Sequence, residues 1–379
     1  MKHFDRVWAE VDLDAVAYNV ESIKNSIKED TKIIAVIKTD GYGHGAVRIS
    51  VAALKAGVSF LAVASISEGI ELREAGIVAP ILSLSLPLKD EIPSLIVHSI
   101  TPLVFDFEFI EQLNEVAVSM HRKIPVHLKI DTGMGRVGCS PEEAKDLAKK
   151  IASTEGLYLE GVCTHLACAD SNKDDDIAYT KKQIKKFTFA VEEIKKQGIN
   201  PGIVHCSNSG AIFLHQEANF DMVRPGIVIY GYSTCAKELG VKLKPVMEFS
   251  SQIVAIKQFK KGDTVSYDRT WIAPEDCDIG VIPAGYADGL VRRLSPGLEV
   301  SINGKMFPIV GRICMDQCMV FLGKNHNVNR WDKVVFFGAD NNSKDAEDLA
   351  NQIGTISYEI LCGINKRVPR IYIDTERNK

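Results

Sequence analysis

The stretch IIAVIKTDGYGHG, residues 33–45, is a short β-branched run that ends in a lysine and a glycine-rich turn. The same pattern recurs downstream. Strand-like runs FLAVAS (60–65), PILSLS (80–85), TPLVFD (101–106), VHLKID (126–131), LEGVCTH (159–165), GIVHCSN (202–208) and FDMVR (220–224) follow it. Helix-like stretches such as SEGIELREAG, FIEQLNEVAVSM, SPEEAKDLAKKIAS and YTKKQIKKFTFAVEEIKKQG separate most of them. Strands that alternate with helices pair in parallel, because a parallel neighbour is reached through a long crossover. Eight such units in this part of the chain fit an α/β fold of (β/α)8 barrel type better than an open doubly wound sheet. Strand order is not written in a single sequence, so the open sheet stays as the alternative.

From about residue 236 the texture changes. Strand-like runs VMEFSSQIVAIKQF, DIGVIPAGYA, LEVSINGKMFPIVGRI and DKVVFFG come in quick succession, with one helical stretch, KDAEDLANQIG, and a last strand, RVPRIYI. Asn303-Gly304 between alternating runs signals a two-residue hairpin turn. The expected organisation is a barrel over residues 1–235 and a mainly antiparallel β domain over 236–379.

Bulk properties narrow the function. The chain has 379 residues, 46% hydrophobic and 25% charged, with a formal net charge of -4. That is ordinary for a soluble globular protein with a sizeable core, and the length suits two domains. No basic block points to nucleic acid or an anionic membrane, and no apolar run reaches the ~18 residues of a membrane span. The N-terminus lacks the apolar core of a secretory signal. Nine scattered cysteines argue for reduced thiols in a cytoplasm. Cys314 and Cys318 read as strand residues, since no second pair or histidine tail completes a zinc set. The run Asp174–Asp176 reads as a solvated loop.

Barrel sites gather where strand C-termini feed the following loops. Those positions hold Lys38, Lys129, Arg136, His165, Asn208, Ser209 and Arg224. Taken singly, each has an ordinary structural reading: a snorkelling lysine, a core histidine, a capping arginine. Together they make a cationic mouth with serine and glycine after the last two strands, which suits a phosphate-bearing ligand. A lysine beside such a site is what a pyridoxal-phosphate Schiff base requires. There is no carboxylate pair for glycoside hydrolysis and no metal-ligand spacing. Gly133, Gly135 and Gly138 satisfy the dinucleotide pattern G-x-G-x-x-G, but the next helix starts near Ser140-Pro141, past the loop, instead of opening within it.

At these residues the chain resembles the alanine racemase family over essentially its whole length. The motifs that carry the resemblance are AVIKTDGYGHG (35–45), HLKIDTGMGRVG (127–138), THLACAD (164–170), NSG (208–210) and VRPGIVIYG (223–231). VSYDRTW (265–271), GYADGL (285–290), GRICMDQCMV (311–320) and SYEILCGINKRVPR (357–370) continue it. The resemblance implies an isomerase that interconverts L- and D-alanine by two-base proton transfer on a pyridoxal 5'-phosphate aldimine and supplies D-alanine for peptidoglycan. It implies that Lys38 holds the cofactor and is one base. Tyr267 is the other, supplied by the partner subunit of a homodimer. Tyr42, Ser209, Gly226, Ile227 and Tyr358 surround the phosphate, His165 lies against the pyridine ring, and Arg224 faces the ring nitrogen. Arg136 holds the phenolic oxygen and the substrate carboxylate. Lys129 matches a lysine that is often carbamylated, its new charge orienting Arg136. Met315 and Asp316 line the substrate pocket, and Tyr286 shapes its entrance. Two departures stand out: Asp268 where glycine is common, beside Tyr267, and Phe321 where an acidic residue is frequent.

These parts make chemical sense together. Racemisation removes the Cα proton from one face and delivers one to the other, so two bases on opposite faces avoid a swinging group. Lysine and tyrosine have free pKa values of ~10, so the site must tune them toward working pH. An arginine opposite the ring nitrogen does not protonate it. Tyr358 and Met315 crowd side chains beyond a methyl, although serine is rejected only modestly. A serine or broad-specificity racemase and a non-catalytic cofactor carrier are the competing expectations, with a nicotinamide dehydrogenase behind them.

Overall fold

The computed structural model describes residues 5–339 and 342–375. After β1 (Val7–Asp12) the chain lays down β2 (Lys32–Val36), β3 (Phe60–Val63), β4 (Ile81–Ser83), β5 (Ile100–Thr101) and β6 (Leu103–Val104). Then come β7 (Ile124–Lys129), β8 (Leu157–Cys163), β9 (Ile203–His205) and β10 (Met222–Val223). The sheet order is β5-β4-β3-β2-β10-β9-β8-β7-β6. Its pairings are parallel throughout. Because only Pro102 separates β5 from β6, the two ends of this order are one interrupted strand. Proline has no N–H to give to a ladder, so the strand breaks there; one half pairs with β4 and the other with β7. The result is a closed ring of eight strands, which settles the choice between barrel and open sheet.

Helix boundaries follow local chemistry. Ser65 and Glu68 form a capping box on the helix Ile66–Glu74. Asp106 caps Phe107–Ser119 by accepting from the Phe109 amide at 2.7 Å. The run Asp174–Asp176 is not a loop: it forms the first turn of the helix Asp174–Lys196, which ends on Lys195 and Lys196. Acids at the start and bases at the end complement the helix dipole, which explains why so acidic a run is helical.

The remaining strands are β11 (Met247–Gln252), β12 (Ala255–Phe259), β13 (Thr264–Val265), β14 (Trp271–Ile272), β15 (Cys277–Ile282) and β16 (Glu299–Ile302). They finish with β17 (Lys305–Val310), β18 (Cys318–Gly323), β19 (Lys333–Phe337) and β20 (Arg370–Ile373). A second sheet runs β12-β15-β18-β17-β16-β19-β11-β1-β20, antiparallel except where β1 meets β20. Asn303 and Gly304 join β16 to β17 with φ of 51° and 75°, the paired positive angles of a tight hairpin. Cys318 lies in β18, whereas Cys314 sits in the turn before it, where its amide donates to the Gln317 carbonyl at 2.9 Å. β1 belongs to this second sheet although it precedes the barrel strands, so the first and last described strands pair side by side. Among the described residues no helix is long and apolar enough to cross a membrane.

Candidate active site

Lys38 follows β2 with only Ile37 between them. Beyond it, Thr39, Asp40, Gly41 and Tyr42 all take left-handed backbone angles, with φ of 55°, 51°, 61° and 52°. For the three non-glycine residues this conformation costs about 1–2 kcal/mol each, so surrounding bonds must hold it. The Thr39 amide donates to Glu68 Oε1 at 2.6 Å, and the Ala46 amide donates to Asp40 Oδ1 at 2.8 Å. Gly41 N–H donates to the Ile37 carbonyl and Gly43 N–H to that of Thr39. This turn is what brings Lys38 and Tyr42 to the same cavity.

That cavity, of about 380 Å³, opens at the C-terminal end of the barrel strands. Lys38, Tyr42, Lys129, Arg136, His165, Asn208, Ser209, Arg224, Gly226 and Tyr358 line it, with Leu84, Leu86, Leu103 and Cys163 among the apolar wall. Ile227 lines an adjoining cavity that shares Ser209 and Tyr358. Four cations face a single lining carboxylate, Asp170. Burial first, and then the charges of Arg224, Arg136, Lys129 and Lys38, push the His165 imidazole down to about 3, so it is neutral at working pH. Burial also lowers the Lys129 amine, helped by Arg224 and Arg136; its Nζ donates to the Ile130 carbonyl at 3.0 Å. Burial raises Tyr42, and burial with Asp170 pushes Tyr358 up to about 12, leaving both phenols as donors.

Gly226 shapes one wall. Its amide donates to Ser209 Oγ at 2.9 Å, and a Cβ there would meet the Tyr42 hydroxyl at 2.6 Å. The position is a cradle of small residues rimmed by two hydroxyls, dimensions that suit an anionic group. Asn208 lines the cavity and is also tied into the scaffold. Its Oδ1 caps the short helix Ser209–Leu214, and its Nδ2 donates to the Leu166 carbonyl.

Arg224 is held by three hydrogen bonds. Its Nη2 donates to the Thr164 and Cys206 carbonyls at 2.6 and 3.0 Å, and its Nη1 to His205 Nδ1 at 2.8 Å. His205 Nε2 therefore carries the proton and donates to His127 Nδ1 at 2.8 Å, and His127 Nε2 in turn donates to Glu160 at 3.1 Å. The chain of contacts runs from the cavity through the barrel interior to a carboxylate near the outside. The sequence reading missed His127, His205, Glu160 and Glu68. The signal for His127 was present: it is two residues from Lys129 on one strand, hence on the same face.

The glycine motif has a structural use. Asp131 Oδ1 accepts from the amides of Gly133, Met134 and Gly135 at 2.8, 2.9 and 3.2 Å, and Oδ2 from Arg136. The protein's own carboxylate takes the donors that a pyrophosphate would need, which removes the dinucleotide reading.

Tyr267, Tyr286, Met315 and Asp316 do not line the cavity of their own chain. They lie on the second unit, with Tyr267 66% exposed, Tyr286 42% and Met315 54%. Tyr267 sits in an irregular turn tied down by Ser266 Oγ, which donates to the Arg312 carbonyl at 2.7 Å. Asp268, at φ 59°, turns its carboxylate to Arg312 at 3.5 Å. Phe321 packs on Trp271. Asp316 accepts from Arg367 at 2.6 Å.

The family model described as alanine racemase, N-terminal domain, matches residues 11–234, and the one described as alanine racemase, C-terminal domain, matches 246–372. The alanine racemase of Treponema denticola is 54% identical over 372 residues, covering 96% of this chain and 97% of that protein. That of Treponema pallidum is 45% identical over 350 residues, 90% and 93% of the two chains. Among solved structures, alanine racemase from Clostridium difficile superposes with a TM-score of 0.94 at 39% identity, covering 99% of this chain and 97% of that one. The Bacillus anthracis alanine racemase with bound L-Ala-P gives 0.91 at 37% identity, with 99% and 97% covered. The chain belongs to the alanine racemase family.

Proposed function

We propose that this protein interconverts L-alanine and D-alanine with pyridoxal 5'-phosphate, in the cytoplasm, and so supplies D-alanine for peptidoglycan. The observation that carries the reading is the cavity in which Lys38 stands among cations and the Gly226 cradle. The residues there fit the cofactor. Tyr42, Ser209, Gly226, Ile227 and Tyr358 would hold its phosphate, Lys38 its carbonyl carbon, Arg224 the side of its ring nitrogen, with neutral His165 against the ring. When bound, the cofactor supplies the electron sink that makes the Cα proton of alanine removable.

The chain's own residues do the rest. Lys38 takes or gives the Cα proton on one face and Tyr267 on the other. Arg136, whose guanidinium has no hydrogen bond or ion pair among the described residues, would hold the substrate carboxylate. Lys129, buried and depressed toward the neutral amine that carbon dioxide attacks, is suited to carbamylation, and the carbamate would orient Arg136. Arg224, donating three bonds to fixed acceptors, keeps its protons and would give the cofactor's ring nitrogen no proton.

Because Tyr267, Tyr286, Met315 and Asp316 sit outside their own chain's cavity, the site is completed by a second copy, and the working form is a homodimer. The exposure of the large side chains Tyr267, Met315 and Ile272 supports this reading. The test is incubation of the cofactor-loaded protein with L-alanine in D₂O. D-alanine carrying deuterium at Cα is expected. Bound cofactor without D-alanine and without change in L-serine would overturn the assignment and favour a carrier.

A further inference from the structure

The two turns expected at the substrate end have no α-helix or strand of their own. One runs Gly285–Gly289 and carries Tyr286; the other runs Cys314–Gln317 and carries Met315 and Asp316. They are laced together by backbone bonds, Tyr286 N–H to the Cys314 carbonyl and Ala287 N–H to that of Met315, both 3.0 Å. Gly285 permits that approach, since a Cβ there would meet the Cys314 carbonyl at 2.3 Å. Behind them lies a four-charge cluster. Asp288, fully buried, receives Arg6 Nη2 and Arg367 Nε on one oxygen, both at 2.8 Å, and the Gly285 amide on the other at 2.9 Å. Arg367 Nη2 reaches on to Asp316 at 2.6 Å, and Arg6 Nη2 reaches the same oxygen at 3.5 Å. Arg6 Nη1 donates to the carbonyls of Pro283 and Asp316.

The two arginines come from opposite ends of the chain. The parallel register of β1 with β20 pairs Ala9 with Arg370, which sets Arg6 beside Arg367 three residues earlier. Each guanidinium forks between an aspartate inside one turn and an aspartate inside the other. Both arginine side chains are 41% exposed, so the cluster adds little to global stability. Its effect is local: it fixes two turns whose Tyr286 and Met315 side chains are exposed.

We infer that Arg6, Arg367 and Asp288 are positioning residues that hold the Tyr286 and Met315 turns as a preformed half-site for the alanine carboxylate and methyl in the partner's cavity. This rests on the homodimer proposed above. An ammonium cannot fork as a guanidinium does, so Arg367→Lys keeps the charge and loses the link.

The test uses the cofactor-loaded dimer of wild type, Arg367→Lys and Arg6→Lys. Amide hydrogen exchange over the peptides containing Tyr286 and Ala287 is read without substrate, alongside kcat and KM in both directions. Expected is exchange about tenfold faster at those amides, and a KM raised about tenfold with kcat within about threefold, in dimers that sediment as wild type. Exchange and KM at wild-type values in both variants would overturn the inference, as would activity lost only in proportion to dimer lost. If wild type itself fails to racemise alanine, the proposed function falls, while the exchange data still decide whether the cluster holds the turns.

Discussion

His205 is the joint of the buried relay, and replacing it with leucine separates the relay's two halves. The ring is completely buried, and its imidazole is held well below its ordinary value by burial and then by Arg224. Being neutral, it accepts from Arg224 Nη1 and donates to His127 Nδ1, both at 2.8 Å. Leucine fills a similar volume but does neither. One guanidinium N–H and one imidazole nitrogen are then left unpaired in a dry interior. A lost bond to a charged group is worth about 1.5–3 kcal/mol and an unsatisfied neutral group about 1–3. Apolar burial of leucine offsets about 1–2 kcal/mol of this, so His205→Leu should destabilise the barrel by about 2–4 kcal/mol. Glutamine reaches with one acceptor and one donor and should lose less than about 1.5 kcal/mol. All three tryptophans, Trp8, Trp271 and Trp331, lie in or beside the second sheet, so their fluorescence does not follow the barrel. Urea unfolding followed by far-ultraviolet circular dichroism, dominated by the barrel helices, is the assay. A leucine variant as stable as wild type, or a glutamine variant as damaged as leucine, would refute the relay as a hydrogen-bonded chain through His205.

Gly226→Ala places a Cβ 2.6 Å from the Tyr42 hydroxyl; cofactor affinity, titrated by visible absorbance, should fall at least about tenfold with the fold intact. Acid should destabilise the protein before its carboxylates titrate. His44, held near 4 by burial, and His165, held near 3 by burial and cations, stay neutral folded while their unfolded counterparts protonate at 6.5. Folded values below unfolded ones give stability that is present above 6.5 and lost as pH falls. Each should remove about 2 kcal/mol between about pH 7.5 and about pH 5, read as the change in urea midpoint. Shared sites predict subunit complementation: mixed Lys38→Ala and Tyr267→Phe proteins form heterodimers with one intact site, recovering about a quarter of wild-type racemisation, whereas sites within one chain recover none. Arg224→Glu offers the ring nitrogen a protonatable partner and should raise pyridoxamine phosphate formation above wild type, measured by chromatography after turnover with alanine.

Much of the architecture is legible in order along the chain. Alternating β-branched runs and amphipathic stretches encode eight strand–helix units, and Asn303-Gly304 encodes its hairpin, because these signals are carried by neighbouring residues. Candidate residues at strand ends were legible too, since barrel geometry converts position along a strand into position at the mouth: Lys38, Lys129, Arg136, His165, Ser209 and Arg224 do meet in one cavity. Local reading misplaced Asp174–Asp176, where three acids in a row resemble a loop and the dipole of a long helix made them its first turn. It also left Gly133 and Gly135 without a use of their own, which the Asp131 carboxylate supplies by accepting their amides and that of Met134 between them.

Tertiary structure alone decided the rest, because it depends on pairings between residues far apart in sequence. Pro102 lies inside the single strand-like run TPLVFD, and only the closing of the ring makes β5 and β6 the two halves of one interrupted strand around it. His127, His205, Glu160 and Arg224 lie on four separate segments and become a relay only when strands β7 to β10 stand side by side. Arg6 and Arg367 are at opposite ends of the chain, and the register of β1 on β20 makes them neighbours over Asp288. Periodicity and turn chemistry act over a few residues and so can be read from sequence; register, ring closure and the burial that sets each charge's environment are properties of the folded whole.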